Sequence, residues 1–378
     1  MFTEQYVTVL GTKRIVEPTL ESLWFENGDM QTHVYGDGTN TVTRKTDHKI
    51  HTVSEYVLNM KLQYFNHKYA ELMEQDRHSL YRTFYVPKSS GGLRRIDAPN
   101  EDLMYALNEL KYLFETAFHA RYIYHTSAFA YIHGRSTISC VKKHQANASK
   151  WFGKFDVHNF FGSITLDWTM KMLSVIYPFS QVICTAGGQE NLRTALSLCF
   201  LDGVLPQGTP ISPLITNILM VPIDYNLEHK CREKHLIYSR YADDFLISSR
   251  TGFRFRDVES MIVEVFNQFE APFSLNTQKT RYGSANGANW NFGIMLNKDN
   301  QMTIGRAKKK QFESMLTAYA KDKRNGLQWD LEDVRRLDGL RSYYKMIEGD
   351  TIDRIIQHIS GKQNVRIMDA IKADLRGF

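Results

Sequence analysis

Two adjacent acids, Asp243 and Asp244, are the residues of this chain best placed to do chemistry. They lie between the runs 236–239 and 245–248, both rich in aromatic and β-branched residues, so a hairpin with the acids at its tip is predicted. Neighbouring carboxylates raise each other's pKa unless a cation neutralises them. Because Mg²⁺ prefers carboxylate oxygens together with substrate phosphates, the pair indicates a metal site for phosphate chemistry. A solvated Asp-Asp turn is the plain alternative.

A third acid, Asp156, ends the predicted strand 154–157. If Asp156 faces the hairpin tip, three carboxylates can surround two metal ions, which is the arrangement that in-line displacement at phosphorus requires. Phe161 follows five residues later and could close the floor of a sugar pocket, where a bulky ring would reject a 2′-hydroxyl. Core packing is the alternative for Phe160 and Phe161, and one of the two rings is expected to take that role.

Two cations, Lys88 and Arg94, lie on opposite arms of a predicted hairpin over 81–99, with a turn at 89–92. They could close over a triphosphate, which Arg binds through two parallel hydrogen bonds. A solvated basic hairpin is the alternative.

The composition is that of a folded protein: 378 residues, 43% hydrophobic and 23% charged, which fits about two or three domains and excludes a disordered chain. The net charge of +6 suits a polyanionic partner without requiring one. The four cysteines lack zinc-site spacing, and no uncharged apolar run reaches about 18 residues. Since the N-terminus also lacks a signal-peptide pattern, we expect a soluble, cytoplasmic protein with reduced thiols and no membrane contact.

Hydrophobic periodicity predicts the remaining elements. Helices are predicted over 51–74, 101–120, 166–176, 212–231 and 257–270, and residues 306–378 are predicted to be wholly helical. Residues 1–45 are polar and aperiodic, with a turn at 35–40.

Six segments, taken together and in order, resemble those of bacterial reverse transcriptases, the group that includes group II intron, retron and phage-defence enzymes. They are Ala130 with Gly134-Arg135-Ser136, Asp156 with Phe160-Phe161, Leu205 to Asn217, Tyr241 to Asp244, Asn276 with Lys279-Thr280, and Phe292-Gly293 with Leu296-Asn297. The resemblance extends from about Tyr81 to Tyr344. It implies an α+β right-hand polymerase fold, with fingers, a palm built on an antiparallel sheet, and a helical thumb. The implied domains are an N-terminal extension over 1–75, fingers and palm over 76–305, and the thumb over 306–378.

The resemblance also implies roles for individual residues. Asp156, Asp243, Asp244 and the backbone of Val157 would hold two Mg²⁺ ions, which Mn²⁺ could replace, and Lys279 would protonate the departing pyrophosphate. The residues implied to bind the incoming nucleotide are Lys88, Arg94, Val157, Phe161, Gln207 and Gly208. The residues implied to contact template and primer are Arg135, Tyr241, Gly293, Lys308 and Lys309. Two alternatives stay open: Lys279 could be an exposed lysine in a turn, and Arg135 could form a structural ion pair.

Departures from the motifs of known subfamilies narrow the choice of subfamily that the chain resembles. Ser212-Pro213 replaces the Ser-Gln of diversity-generating enzymes, Asn291-Phe292-Gly293 replaces the Val-Thr-Gly of retrons, and Asn147-Ala148 lacks the His that follows in another retron signature. The chain ends at Phe378, before the extensions of group II intron proteins. The layout is closest to standalone defence-associated enzymes, which implies a non-coding RNA template and a role against phage.

The expected partners are therefore RNA, dNTPs, the DNA product, and a partner protein or a second copy of the chain. Three other interpretations stay open: a retron reverse transcriptase, a template-independent or protein-primed polymerase, and a non-catalytic RNA-binding scaffold.

Overall fold

A computed structural model describes residues 5–9, 12–16, 30–34, 40–44, 55–88, 91–117, 123–284 and 291–376. The strands are β1 (Gln5–Val9), β2 (Thr12–Val16), β3 (Met30–Val34), β4 (Asn40–Arg44), β5 (Tyr81–Pro87), β6 (Leu93–Pro99), β7 (Trp151–Asp156), β8 (Ile237–Tyr241), β9 (Asp244–Ser249), β10 (Arg281–Ser284), β11 (Met295–Leu296) and β12 (Met302–Thr303). The α-helices are α1 (Glu55–Lys68), α2 (Ala70–Glu74), α3 (Glu101–Ala117), α4 (Thr137–Ala146), α5 (Leu166–Leu173), α6 (Phe179–Cys184), α7 (Gly188–Ser197), α8 (Ser212–Leu219), α9 (Val221–Glu233), α10 (Phe255–Gln268), α11 (Gly305–Arg324), α12 (Leu331–Gln363) and α13 (Ile367–Arg376).

The sheets are small. A four-stranded sheet has the order β10-β7-β9-β8, and β1–β2, β3–β4, β5–β6 and β11–β12 form two-stranded antiparallel pairs. Two of these pairs lie within the N-terminal segment that was predicted to be aperiodic, so that prediction was wrong. Their runs, such as Tyr6-Val7-Thr8-Val9, are rich in β-branched and aromatic residues, a strand signal that was overlooked because the segment as a whole is polar. The predicted turn at 35–40 lies largely outside the described residues.

Most predicted helices are present, but two are broken. The predicted helix 51–74 consists of α1 and α2, separated at Tyr69, and residues 51–54 lie outside the described ranges. The predicted helix 212–231 consists of α8 and α9, because Pro222 has no N–H to donate and its ring displaces the carbonyl four residues earlier. The helix predicted over 101–120 is α3, which begins where the Asn100 side chain accepts a hydrogen bond from the Leu103 amide, at 2.9 Å.

The chain divides into two compact units. The first comprises residues 1–136, 154–247 and 254–280, and the second comprises 137–153, 248–253 and 281–378. In the first unit α9 packs against β8 and α10, around fully buried rings that include Tyr238, Phe245 and Phe266. In the second unit α11 packs on α12, with Phe312 and Tyr344 edge to face. The domain boundaries implied by the family resemblance stay a prediction.

Within the described ranges, no helix combines the length and the apolar character needed to cross a membrane.

Candidate active site

The predicted acidic hairpin is present and its turn is tight. Strands β8 and β9 are neighbours in the sheet and are joined by Ala242 and Asp243, so Asp243 lies in the turn and Asp244 begins β9. Ala242 has a φ of +57°, a left-handed conformation that L-residues other than Gly, Asn and Asp rarely adopt. The surrounding structure must therefore hold this turn in place.

A buried ion pair behind the turn supplies that support. Arg240 is 1% exposed and Asp224 is 0% exposed, and the guanidinium contacts both carboxylate oxygens, with Nη2 at 2.8 Å from Oδ2. The second terminal nitrogen, Nη1, donates to the carbonyl of Ala242 at 3.2 Å. Burial opposes the charged guanidinium, but Asp224 raises the pKa of Arg240 above its ordinary value. The hydroxyl of Tyr238 also donates to Asp224, at 2.7 Å. Sequence reasoning missed this pair, although an Arg within an apolar strand was a signal for it.

The structure brings Asp156 next to this turn. The amide of Val157, the residue that follows Asp156, donates to the carbonyl of Asp243 at 3.0 Å, and the amide of Asn276 donates to the carbonyl of Asp156 at 2.7 Å. Burial raises the pKa of Asp243, and the negative charge of Asp156 raises it further. The charge of Asp156 therefore acts on Asp243, and the two acids stay the predicted metal ligands.

Asp244 is held by a lysine that the sequence analysis did not single out. The Nζ atom of Lys154 lies 2.8 Å from Oδ2 of Asp244. The other oxygen, Oδ1, is buried and has no hydrogen-bond partner among the described residues. Burial raises the pKa of Asp244 to about 6, against the opposing effect of Lys154. A buried carboxylate oxygen without a partner is costly unless a cation or water meets it.

Lys279 reaches the same group of acids. Its Nζ atom lies 3.4 Å from each carboxylate oxygen of Asp156, and its side chain is 51% exposed. The Lys279 amide donates to the carbonyl of Asn276, which keeps the residue in a tight turn. A half-exposed ammonium beside the acids is suited to contact an anionic group that enters from solvent.

The donor set fits a hard divalent cation in its chemistry: three carboxylates, one with an unpartnered buried oxygen. In the part of the chain that the structure describes, no three His, Cys, Asp or Glu side chains are already gathered around a common metal position. Lys154 and Lys279 provide the positive charge next to the acids instead. A divalent cation would therefore take over part of the charge compensation that these two ammonium groups provide.

The basic hairpin is present as predicted, with strands β5 and β6. Val86 pairs with Arg94, and the amide of Lys88 donates to the carbonyl of Gly92 at 2.9 Å. Because side chains alternate along a strand, this register places Lys88 and Arg94 on one face of the hairpin. Both residues are exposed, as a pair that binds a triphosphate must be.

The loop that carries Gln207 and Gly208 is fastened to this hairpin. The amide of Asp97 on β6 donates to the carbonyl of Gln207 at 2.7 Å. Gly208 has a φ of +121°, and a Cβ there would lie 2.8 Å from the carbonyl oxygen of Asp97, so only glycine fits. The Asp97 carboxylate accepts hydrogen bonds from Thr83, at 2.6 Å, and from Arg95, at 2.8 Å. The structure thus brings two predicted nucleotide-binding segments together through residues that the sequence did not indicate.

The two candidate phenylalanines differ in burial. Phe160 is buried and packs on Phe273, with ring centroids 5.1 Å apart. Phe161 begins a short 3₁₀ helix, is half-buried, and has the ring of Tyr131 at 6.4 Å. Phe160 therefore takes the core role, and Phe161 is left as the candidate for the sugar pocket.

Two of the residues implied to contact template and primer lie in the first unit. Nη1 of Arg135 donates to the carbonyls of His125, at 2.6 Å, and Ala128, at 2.5 Å, so that part of the guanidinium supports the loop before it. Tyr241 is half-buried at the end of β8. Their contact with template or primer stays a prediction.

The other three lie in the second unit. Nζ of Lys308 donates to the carbonyl of Gly293 at 2.9 Å, and Nζ of Lys309 lies 2.7 Å from Oε2 of Glu348. Both lysines are therefore engaged within the unit. The exposed cations of α11 at one-face helical spacing are Arg306, Lys310, Lys321 and Arg324. This spacing was visible in the sequence and marks the solvent face better than the Lys308-Lys309 pair does.

Residues 86–314 match the family described as reverse transcriptase (RNA-dependent DNA polymerase), which is more than half of the chain. The chain belongs to this reverse transcriptase family. It is 26% identical to the Retron Ec83 reverse transcriptase of Escherichia coli, over 73% of this chain and 85% of that protein. It is also 26% identical to the Retron Ec73 reverse transcriptase of the same species, over 70% and 82%. Among solved structures, apo telomerase from Candida tropicalis is similar at 11% identity and a TM-score of 0.42, over 86% of this chain and 68% of that one.

This reverse transcriptase is an RNA-directed DNA polymerase with the mixed helix and sheet architecture of the right-hand polymerases, as predicted. Its template is RNA, and the family depends on divalent metal ions.

Proposed function

We propose that this chain synthesises DNA on RNA by nucleotidyl transfer assisted by two Mg²⁺ ions. The carboxylates of Asp156, Asp243 and Asp244 and the backbone carbonyl of Val157 would hold the ions. The observation that carries this proposal is the backbone contact between the end of β7 and the β8–β9 turn, beside which Oδ1 of Asp244 is buried with no hydrogen-bond partner among the described residues. When bound, the ions would supply Lewis acidity at the primer hydroxyl and the leaving pyrophosphate.

The chain's own residues bind and orient the nucleotide. Lys88 and Arg94 contact the triphosphate from the exposed face of the β5–β6 hairpin. Gln207 and Gly208 present backbone and amide groups close to the base and sugar. Lys279, beside Asp156, donates a proton to pyrophosphate or stabilises its charge.

Template and primer bind through phosphate contacts. The exposed cations of α11, which are Arg306, Lys310, Lys321 and Arg324, supply this affinity, and it carries no sequence information. Lys308 and Lys309 set the position of the helix through their contacts with Gly293 and Glu348.

For the template we propose a non-coding RNA encoded beside the chain, and for the biological role defence against phage. A retron reverse transcriptase is the second candidate, favoured by the relatives of this chain that carry that name. Template-independent or protein-primed synthesis would use the same acids.

The test is to purify the protein from its native operon and sequence the nucleic acid that accompanies it. Asp243→Asn removes a proposed metal ligand, so we expect DNA synthesis to fall more than about a thousandfold while folding and RNA retention stay intact. The matched control is Asp257→Asn, which changes an exposed acid in the first turn of α10.

The proposal is supported if one defined RNA accompanies the protein together with complementary DNA, and if only the DNA is lost, and only in Asp243→Asn. DNA without complementarity, or DNA still attached to the protein after RNase treatment and denaturation, supports the untemplated or protein-primed alternative instead. Full activity of Asp243→Asn would contradict the proposal that Asp243 is a metal ligand.

A further inference from the structure

Tyr131 adopts a backbone conformation that is costly for an aromatic residue. Its φ is +62°, in the left-handed region, and the residue is 59% exposed, so core packing does not account for the conformation. Strained residues of this kind persist only where the surrounding structure imposes them, and they are concentrated at functional sites.

The segment that leads into Tyr131 is held by buried groups. The side-chain amide of Asn217, which is 2% exposed, donates to the carbonyl of Ala130 at 3.0 Å. The amide of Phe129 donates to the carbonyl of Arg240, at 2.9 Å, on the strand that leads into the acidic turn. Tyr131 is thus fixed to the elements that position Asp243, and its backbone cannot relax independently of them.

The ring of Tyr131 lies next to that of Phe161, the candidate for the sugar pocket. Its centroid lies 6.4 Å from that of Phe161, at an interplanar angle of 63°. Partial burial of the hydroxyl group raises the pKa of Tyr131, the charge of Asp243 raises it further, and the charge of Arg94 opposes this. The side chain therefore lies within electrostatic reach of a proposed metal ligand and of a proposed triphosphate contact.

We propose that Tyr131 is a specificity-determining residue whose ring forms a second wall of the sugar pocket beside Phe161. This inference rests on the proposed function, in which Phe161 closes that pocket. A single ring excludes a 2′-hydroxyl only while the sugar cannot move away from it. A second ring at a steep angle to the first removes that freedom, so both rings together set the preference for deoxynucleotides.

Two substitutions separate a role in nucleotide selection from a role in folding. Glycine and asparagine adopt positive φ more readily than tyrosine, so Tyr131→Gly and Tyr131→Asn should leave the melting temperature unchanged or raise it. The same variants should raise the ratio of rNTP to dNTP incorporation about tenfold, the scale on which pockets discriminate single groups. They should also raise KM for dNTP more than they lower kcat. Tyr131→Phe keeps the ring and should behave like the unmodified protein.

Tyr105→Ala is the control, because Tyr105 is another exposed tyrosine, on α3, and its substitution should change neither the ratio nor KM. Phe161→Ala alone should also raise rNTP incorporation. Its combination with Tyr131→Gly should give less than the product of the two single effects, since both rings bound one pocket.

Unchanged discrimination and KM in both Tyr131→Gly and Tyr131→Asn would overturn the inference, whether or not their melting temperatures fall. Multiplicative effects of the Tyr131 and Phe161 substitutions would also overturn it, because the rings would then act at separate places. Asp243→Asn tests the proposed function separately. If Asp243→Asn is inactive, the proposed function is supported, and the Tyr131 variants then test only the role of Tyr131. An active Asp243→Asn overturns the proposed function itself.

Discussion

The two hairpins that carry the charged groups of the site are built in opposite ways. In β8–β9 most residues are buried and none is exposed, and the charge of Arg240 is compensated inside the protein by Asp224. In β5–β6 most side chains of β5 are exposed, and Arg94 faces solvent. The proposed metal ligands would have to be held at nearly fixed distances, which a rigid, buried hairpin supports. The cations proposed to bind a triphosphate would act on a group that arrives from solvent, so their hairpin can remain exposed.

The exposed hairpin is nevertheless fixed at one end. Asp97, near the end of β6, binds the Gln207 carbonyl through its amide and Thr83 through its carboxylate. The expected consequence is that substitutions in the buried hairpin change stability, substitutions at the Asp97 junction change stability and binding, and substitutions at the exposed face change binding alone.

The largest effect is expected in the buried hairpin. Arg240→Met leaves the Asp224 carboxylate buried without a positive charge beside it, with only the Tyr238 hydroxyl still donating to it, and we expect a loss of about 3–5 kcal/mol in the free energy of unfolding. Denaturant unfolding of the purified protein measures this loss. The double variant Arg240→Met with Asp224→Leu should recover most of it, because no charge is then left buried. Arg94→Met in the exposed hairpin is the matched control and should change stability by less than about 0.5 kcal/mol. If Arg240→Met loses less unfolding free energy than Arg94→Met, the ion pair does not support the turn as proposed.

An intermediate effect is expected at the junction. Gly208→Ala places a Cβ 2.8 Å from the Asp97 carbonyl oxygen on a backbone with φ at +121°, so we expect a stability loss of about 1–3 kcal/mol and a higher KM for dNTP. Gly203→Ala is the matched control in the same loop. Gly203 also has a positive φ, at +79°, but a Cβ there meets nothing within 4 Å among the described residues. Equal losses in both variants would show that backbone strain alone, and not contact with the hairpin, sets the effect.

The smallest effect on protein stability is expected at the exposed face of the β5–β6 hairpin. Arg94→Gln should raise KM for dNTP about tenfold, the scale of one charged hydrogen bond, while the melting temperature stays the same. Steady-state incorporation on a fixed primer and template measures it. Arg82→Gln is the control, because Arg82 pairs with Ala98 on the same face at the opposite end of the hairpin. If Arg82→Gln raises KM as much, the hairpin acts through its general positive charge and not through Arg94.

The sequence was informative wherever chemistry depends on residues close together in the chain. Asp243 and Asp244 between two strand-like runs, and the turn between β5 and β6, could be recognised because strand alternation and turn residues are local signals. The same local reasoning missed the break between α8 and α9, although Pro222 was visible. It also missed β1 to β4, whose β-branched and aromatic runs were overlooked because the segment as a whole is polar.

What the sequence determined by itself is the membership of the family, through the order of its motifs, and it named the candidate reacting groups that those motifs carry. Tertiary structure decided which groups share a site and what holds them: Lys154 on Asp244, Arg240 on the Ala242 carbonyl, and Tyr131 opposite Phe161. It also decided that Phe160 is core and Phe161 is not. The physical reason is that burial and long-range pairing fix these contacts. The energy of these contacts depends on which segments, distant in the sequence, pack together and bury them away from water. The spacing of residues along the chain does not encode that packing directly.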